Sequence, residues 1–157
     1  MATLAPAFIY RHTRVRITTE RSTEFIDLTD SLEELLAESR VVTGFLNVQS
    51  LHTTAGIVVN EGEPLLLEDF QVLLEKVAPG EGPYRHDNED ERTVNISPGE
   101  RPNGASHCRA VLLGSSACLN IVDGRLLLGR WQRVFLAELD GPRAREISVL
   151  VIGEAVQ

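Results

Sequence analysis

The chain has 157 residues, 43% of them hydrophobic, and a formal net charge of −8 at neutral pH. That length suits a single domain, residues 1–157, with one real core. The negative balance argues against broad binding to nucleic acid or to an acidic membrane surface, because both are polyanions.

No apolar run approaches the roughly 18–20 residues that a membrane span needs. Met1–Tyr10 carries no basic stretch ahead of its apolar residues, unlike a secretory signal. Two cysteines, Cys108 and Cys118, are too few for a disulfide framework and suit a reducing compartment, so a cytoplasmic location is expected. Fourteen of the fifteen basic residues are Arg, with Lys76 the one lysine. That bias reads first as surface composition, but the rigid guanidinium fork keeps anionic small molecules among the candidate ligands.

Phe8–Thr18 alternates as a strand, and Thr23–Leu28 reads as a second, shorter one. Asp30 or Ser31 then caps a helix in which Ser31 and Glu34 form a capping box, and Leu32, Leu35 and Leu36 an apolar stripe ending near Arg40. Gly44–Leu51 and Ala55–Asn60 read as strands separated by His52-Thr53-Thr54. Pro64 opens a second helix, with Leu66, Phe70, Leu73, Leu74 and Val77 at helical spacing, and Pro79-Gly80 stops it.

Glu81–Ser106 is a long polar loop, a length usually reserved for function. Four strand-like runs follow: His107–Leu113, Cys118–Val122 with Arg125–Leu128 after the Asp123-Gly124 turn, Trp131–Leu139, and Arg145–Ile152. Two early helices and many short late strands predict an α+β fold, a two-layer sandwich of two helices on a mainly antiparallel or mixed sheet.

Three of the four histidines stand at element ends or in the loop. His52 closes an apolar strand, His86 opens an acidic segment that includes Asp87, and His107 follows the turn-like Asn103-Gly104-Ala105-Ser106. Three imidazoles converging to within about 6 Å of a common point could hold a divalent metal with an open position. Solitary histidines, however, are commonly surface groups or satisfied core groups.

Asn60-Glu61 and Asp69 form a second cluster, with Glu61 a candidate base or outer partner of the metal, or simply an acid favoured near a helix start. Arg130 and Gln132, flanking Trp131, could point into a pocket with Asn103 as further ligand-binding residues. Trp131 itself is expected to pack. Cys108 is expected to face away from any site at His107, and both cysteines to be buried and inert. A nucleophile elbow, a P-loop and a dinucleotide fingerprint are all absent from the sequence.

One set of segments carries a family likeness. It comprises His52-Thr53-Thr54-Ala55, Val59-Asn60-Glu61, Asp69, His86-Asp87 and Asn103-Gly104-Ala105-Ser106-His107. It continues with Leu112-Leu113-Gly114-Ser115-Ser116, Asp123-Gly124-Arg125-Leu126, Leu128-Gly129-Arg130-Trp131-Gln132, Glu138, and Gly141-Pro142-Arg143-Ala144-Arg145. In this order, over nearly the whole chain, the sequence resembles the YjbQ family.

The resemblance implies two helices against an extended sheet, assembly as a homotrimer, and a weak thiamine-phosphate synthase activity that joins a pyrimidine diphosphate to a thiazole phosphate. The sixteen residues Asp87–Pro102 make a longer connection than in many relatives. Loss of pyrophosphate calls for Mg²⁺, whereas a histidine cluster suits Zn²⁺ or another transition metal. Three readings therefore stand: a synthase-type enzyme on a phosphorylated substrate, a metal-dependent hydrolase with Glu61 or Asp87 as base, and a metal- or ligand-binding module without turnover.

Overall fold

The structure, a computed structural model, describes residues 7–156. Its elements run β1 (Ala7–Thr18), β2 (Glu24–Asp27), α1 (Thr29–Ser39), β3 (Val41–Ser50), β4 (Ala55–Glu61), α2 (Pro64–Val77), a 3-10 turn at Arg85–Asp87, α3 (Gly104–Leu113), β5 (Ser116–Val122), β6 (Arg125–Leu126), β7 (Gln132–Glu138) and β8 (Ala144–Ala155). The class is α+β, as expected. The strands divide into two sheets, β1-β8-β3-β5-β6 and β2-β7-β4, and every pairing is antiparallel.

Period-two alternation decides how the large sheet buries itself. In β8, Arg145, Ile147, Val149 and Val151 face inward and are buried, while Glu146, Ser148, Leu150 and Ile152 face the other side. The inward residues meet Leu46 and Val48 of β3, Leu119 and Ile121 of β5, and Ile57, Val134 and Leu136 of the small sheet in one shared core. Leu28, Leu32 and Leu36 bring α1 into that core. The other face of the small sheet packs on α2 and α3 through Leu74, Ala137, Leu139, Val58, Ala110 and Leu113. The opposite face of the large sheet leaves Phe8 and Tyr10 exposed at 71% and 73%.

Two local readings are corrected. α1 has Leu28, not Asp30 or Ser31, at its N-cap, and no side chain caps it there; Asp27 Oδ1 accepts from Thr29 N at 2.8 Å instead. α2 starts at Pro64 as expected, with the Glu63 carboxylate accepting from Leu65 N and Leu66 N.

The run His107–Leu113 is not a strand but part of a third helix. Its buried stripe is Ala105, Ser106 and Arg109, Ala110 and Leu113 pack on the small sheet, and Val111 and Leu112 are exposed, so the apolar run that suggested a strand wraps around both sides of a helix. Arg109 is tolerated inside because its Nε donates to Ala78 O at 2.8 Å and its Nη2 pairs with Glu75. A buried guanidinium needs such partners.

Candidate functional site

Three different elements deliver the histidines. His52 lies in the turn from β3 to β4, His86 in the 3-10 turn, and His107 in the first turn of α3. All three line one cavity of about 460 Å³, together with Arg92, Asn103, Arg143 and Arg145. The rings of His86 and His107 meet edge to face, with centroids 4.6 Å apart. His52 and His107 also border a neighbouring cavity of about 700 Å³ between the end of β3 and α3.

The start of α3 is set from a distance. Asp87 Oδ1 accepts from Asn103 N at 2.9 Å and from Gly104 N at 2.8 Å, satisfying amides that a helix start leaves free. Asp87, a candidate base in the sequence, therefore works as the cap that places His107. Asn103 is 8% exposed; its Nδ2 donates to Asp140 Oδ2 at 3.2 Å, and its Oδ1 is buried without a partner. His86 Nε2 is likewise buried without a partner among the described residues. Buried polar atoms are nearly always bonded, so these two orphans, on residues that line the same cavity, stand out from the rest of the structure.

The floor is a buried ion pair. Glu138 is fully buried and Arg145 is 3% exposed. Arg145 Nε donates to Glu138 Oε2 at 2.6 Å, and its Nη2 donates to Glu138 Oε1 and to Thr54 Oγ1. Leu139 N, Asp140 N and Thr19 Oγ1 complete the carboxylate's bonds. Burial works to raise the Glu138 acid, but the Arg145 hydrogen bonds outweigh it and hold its carboxyl below the ordinary range. Beside this pair, Arg143 Nη2 meets Asp140 Oδ2 at 2.7 Å.

His52 is oriented by the backbone: Glu146 N donates to its Nε2 at 2.8 Å. An accepting Nε2 assigns the proton of the neutral ring to Nδ1, which makes the other nitrogen a donor. Burial first, and the Arg145 guanidinium next, push His52 below its ordinary value. Burial and the adjoining His86 do the same to His107.

Above the ordinary histidine value of 6.5 both states are neutral, and below it the unfolded chain takes up protons that the folded chain resists. Stability should therefore fall as pH drops from 6.5 towards about 5.5, before carboxylates titrate. Melting curves across that interval should flatten in His52→Ala and in His107→Ala; an unchanged slope in both would refute this origin.

Other residues singled out in the sequence lie elsewhere. Ala55 sits opposite Glu138 in the β4–β7 ladder, whereas Asn60 and Glu61 sit opposite Arg133 and Gln132. Six steps of a strand place that end about 20 Å from Glu138. There Asn60 Oδ1 accepts from Glu61 N, and Gln132 Oε1 accepts from Gly129 N to close a turn.

Arg130 does not enter a pocket; its Cζ stacks 4.5 Å over the Trp131 ring. Trp131 is 60% exposed rather than packed, and Asp69 is exposed on α2. Cys108 and Cys118 are both exposed, correcting their expected burial: Cys108 faces out of a helix, and Cys118 lies on the outer face of the large sheet.

The residues to which sequence reasoning gave no site role are Arg92, Arg143, Arg145, Glu138 and Asp140, of which Glu138, Arg143 and Arg145 stood only within the family likeness. Arg145 was detectable, because it occupies the inward phase of β8 with Ile147, Val149 and Val151, where an unpaired charge is not tolerated.

The chemistry of the donors bears on a metal. Among the described residues, no three His, Cys, Asp or Glu side chains are grouped to hold one. His52 keeps its backbone bond only by presenting a proton, which leaves His86 and His107 as the nitrogen donors nearest each other. Among the described residues, no helix is long and apolar enough to cross a membrane.

Two antiparallel sheets around one core, with histidines and arginines gathered at a helix–loop junction, define a small α+β domain with a polar, ligand-sized cavity. The chain belongs to the UPF0047, YjbQ-like family, whose description matches residues 13–154.

It is 41% identical to a UPF0047 protein of Methanothermobacter thermautotrophicus over 136 residues, 87% of each chain. It is 31% identical to the UPF0047 protein YugU of Bacillus subtilis, over 88% of this chain and 97% of that one. A crystal structure of a YbjQ-like protein of unknown function from Sulfolobus solfataricus superposes with a TM-score of 0.84 at 30% identity, over 94% of this chain and 100% of that one.

Proposed function

We propose that the chain is a cytoplasmic enzyme that binds a phosphorylated small molecule in the histidine- and arginine-lined cavity, with a reaction of the thiamine-phosphate synthase type. One observation carries the reading: three histidines and three arginines, with Glu100 and Asp140 beside them, line a cavity of about 460 Å³, and two of the lining residues, His86 and Asn103, each hold a buried polar atom without a partner among the described residues. Guanidinium groups and a His52 Nδ1–H are donors suited to phosphate oxygens. Asn103 Oδ1 is an acceptor suited to an amino or hydroxyl group of the same ligand. In this reading His107 and His86 move protons, and Arg143, with Arg145 held by Glu138 behind it, faces the leaving pyrophosphate.

A second reading, a divalent metal for synthesis or hydrolysis, is favoured by the buried free Nε2 of His86 beside His107. His86 and His107 would supply two ligands, and phosphate oxygens the remainder. Assembly as a homotrimer, supported by the exposed Phe8 and Tyr10 on an uncovered sheet face, would bury that face.

The test incubates the untagged protein with the pyrimidine diphosphate and the thiazole phosphate, with Mg²⁺, with Zn²⁺ and with chelator, while light scattering records its mass. Thiamine phosphate and released pyrophosphate from a trimer are expected. Absence of product under all three conditions would dismiss the synthase reading, and a monomer mass would dismiss the trimer.

A further inference from the structure

The long loop contributes a half-buried ion pair to the same cavity. Arg92 and Glu100 both line it, with side chains only 13% and 20% exposed. Arg92 Nη1 donates to Glu100 Oε2 at 3.0 Å, and Arg92 Nη2 donates to Asn95 O at 2.6 Å. The contact with Glu100 is therefore through one nitrogen, not the two-pronged grip that a guanidinium makes with a well-placed oxyanion. Burial works to raise the Glu100 acid, but the hydrogen bonds from Arg92 and from Ser97 N outweigh it and hold its carboxyl below the ordinary range, so a charged carboxylate stays beside Arg92. The pair thus holds an arginine ready on a wall that also carries the unpartnered Asn103 Oδ1, on a residue 8% exposed, and the unpartnered His86 Nε2.

We infer that Arg92 is an anion-binding, specificity-determining residue of this cavity, and that Glu100 competes with the substrate's phosphate or diphosphate group for it. The inference rests on the phosphorylated-substrate reading above and adds the residues of the loop that select the anion. Physically, the Glu100 carboxylate is an internal oxyanion: it keeps Arg92 in place, and it sets a threshold that only a more highly charged group overcomes. A diphosphate, with more charge and more oxygens, exchanges with the carboxylate more readily than a monophosphate does. Removing the Glu100 charge eliminates both the competitor and a repulsion within the cavity. At an effective dielectric of about 20, one charge a few ångströms away corresponds to about tenfold or more in affinity.

Calorimetric titration with inorganic pyrophosphate, and separately with inorganic phosphate, tests this on the full chain. Glu100→Gln should bind pyrophosphate about tenfold more tightly than wild type and narrow its preference over phosphate, whereas Arg92→Gln should bind about tenfold more weakly. Glu91→Gln is the control for general loss of negative charge, since Glu91 pairs with Arg85 in the same loop and does not line the cavity. It should leave both affinities unchanged.

If wild type binds pyrophosphate and Glu100→Gln binds no tighter, or Glu91→Gln tightens equally, the inference is overturned while the substrate reading survives. If neither anion binds wild type or Glu100→Gln, both are overturned. Should Arg92→Gln fail to fold, the gain or absence of gain in Glu100→Gln decides.

Discussion

Glu138→Ala is expected to lower the thermal midpoint by about 6–20 °C. The carboxylate is fully buried and Arg145 is 3% exposed, so truncation leaves a guanidinium in the interior without its counter-charge. Breaking one side of a buried pair typically costs about 3–5 kcal/mol. In a domain of this size each kcal/mol moves the midpoint by about 2–4 °C. The loss has a second part, because Thr19 Oγ1 and the amides of Leu139 and Asp140 lose their acceptor together.

The double variant Glu138→Leu with Arg145→Met separates the two parts. It removes the stranded charge but not the stranded donors, so it should recover some of the lost stability and not all of it. A Glu138→Ala protein melting within a degree or two of wild type would show that the ion pair holds nothing together.

His107→Ala is expected to melt nearly as wild type does and to lose about 100-fold or more in turnover, the range of a missing acid–base group. Its ring is half-buried on a cavity wall, against His86 and with no part in either apolar cluster. Deleting it opens an existing cavity instead of creating one in the core, so the stability cost should stay near about 1 kcal/mol.

Trp131→Ala is the informative companion. The indole is 60% exposed and loses mainly its stacking with Arg130, worth about 0.5–1 kcal/mol at an exposed site. Both variants should therefore fold, and only His107→Ala should lose turnover. The assignment of His107 fails if that variant retains full turnover, or if it melts as far below wild type as Glu138→Ala does.

Much of the architecture was legible because it depends on neighbours in the chain. Alternation reported β1 and β8, the leucine spacing reported α1, and Pro64 with its apolar stripe reported α2. Each of these patterns records which side of a single element is buried, and a period of 2 or 3.6 residues is enough to show it. The histidines were legible as candidates for a related reason: a polar ring at the end of an apolar strand, or in a long polar loop, has no local explanation.

What the sequence determined by itself, then, is the α+β class, most of the elements and the short set of residues from which a site would be drawn. The tertiary structure decided the rest. α3 is a helix because Asp87, far back in the chain, binds its first amides, and because Glu75 and Ala78 accept an arginine into its buried side. The cavity wall carries guanidinium groups because Arg92, Arg143 and Arg145 reach it from a loop, a turn and a strand, each beside a carboxylate. Glu61 and Gln132 fall out of the site because the β4–β7 ladder carries them to its far end. Capping across a loop, charge pairing between strands and the distance along a ladder all depend on which segments become neighbours. Local periodicity holds no record of that.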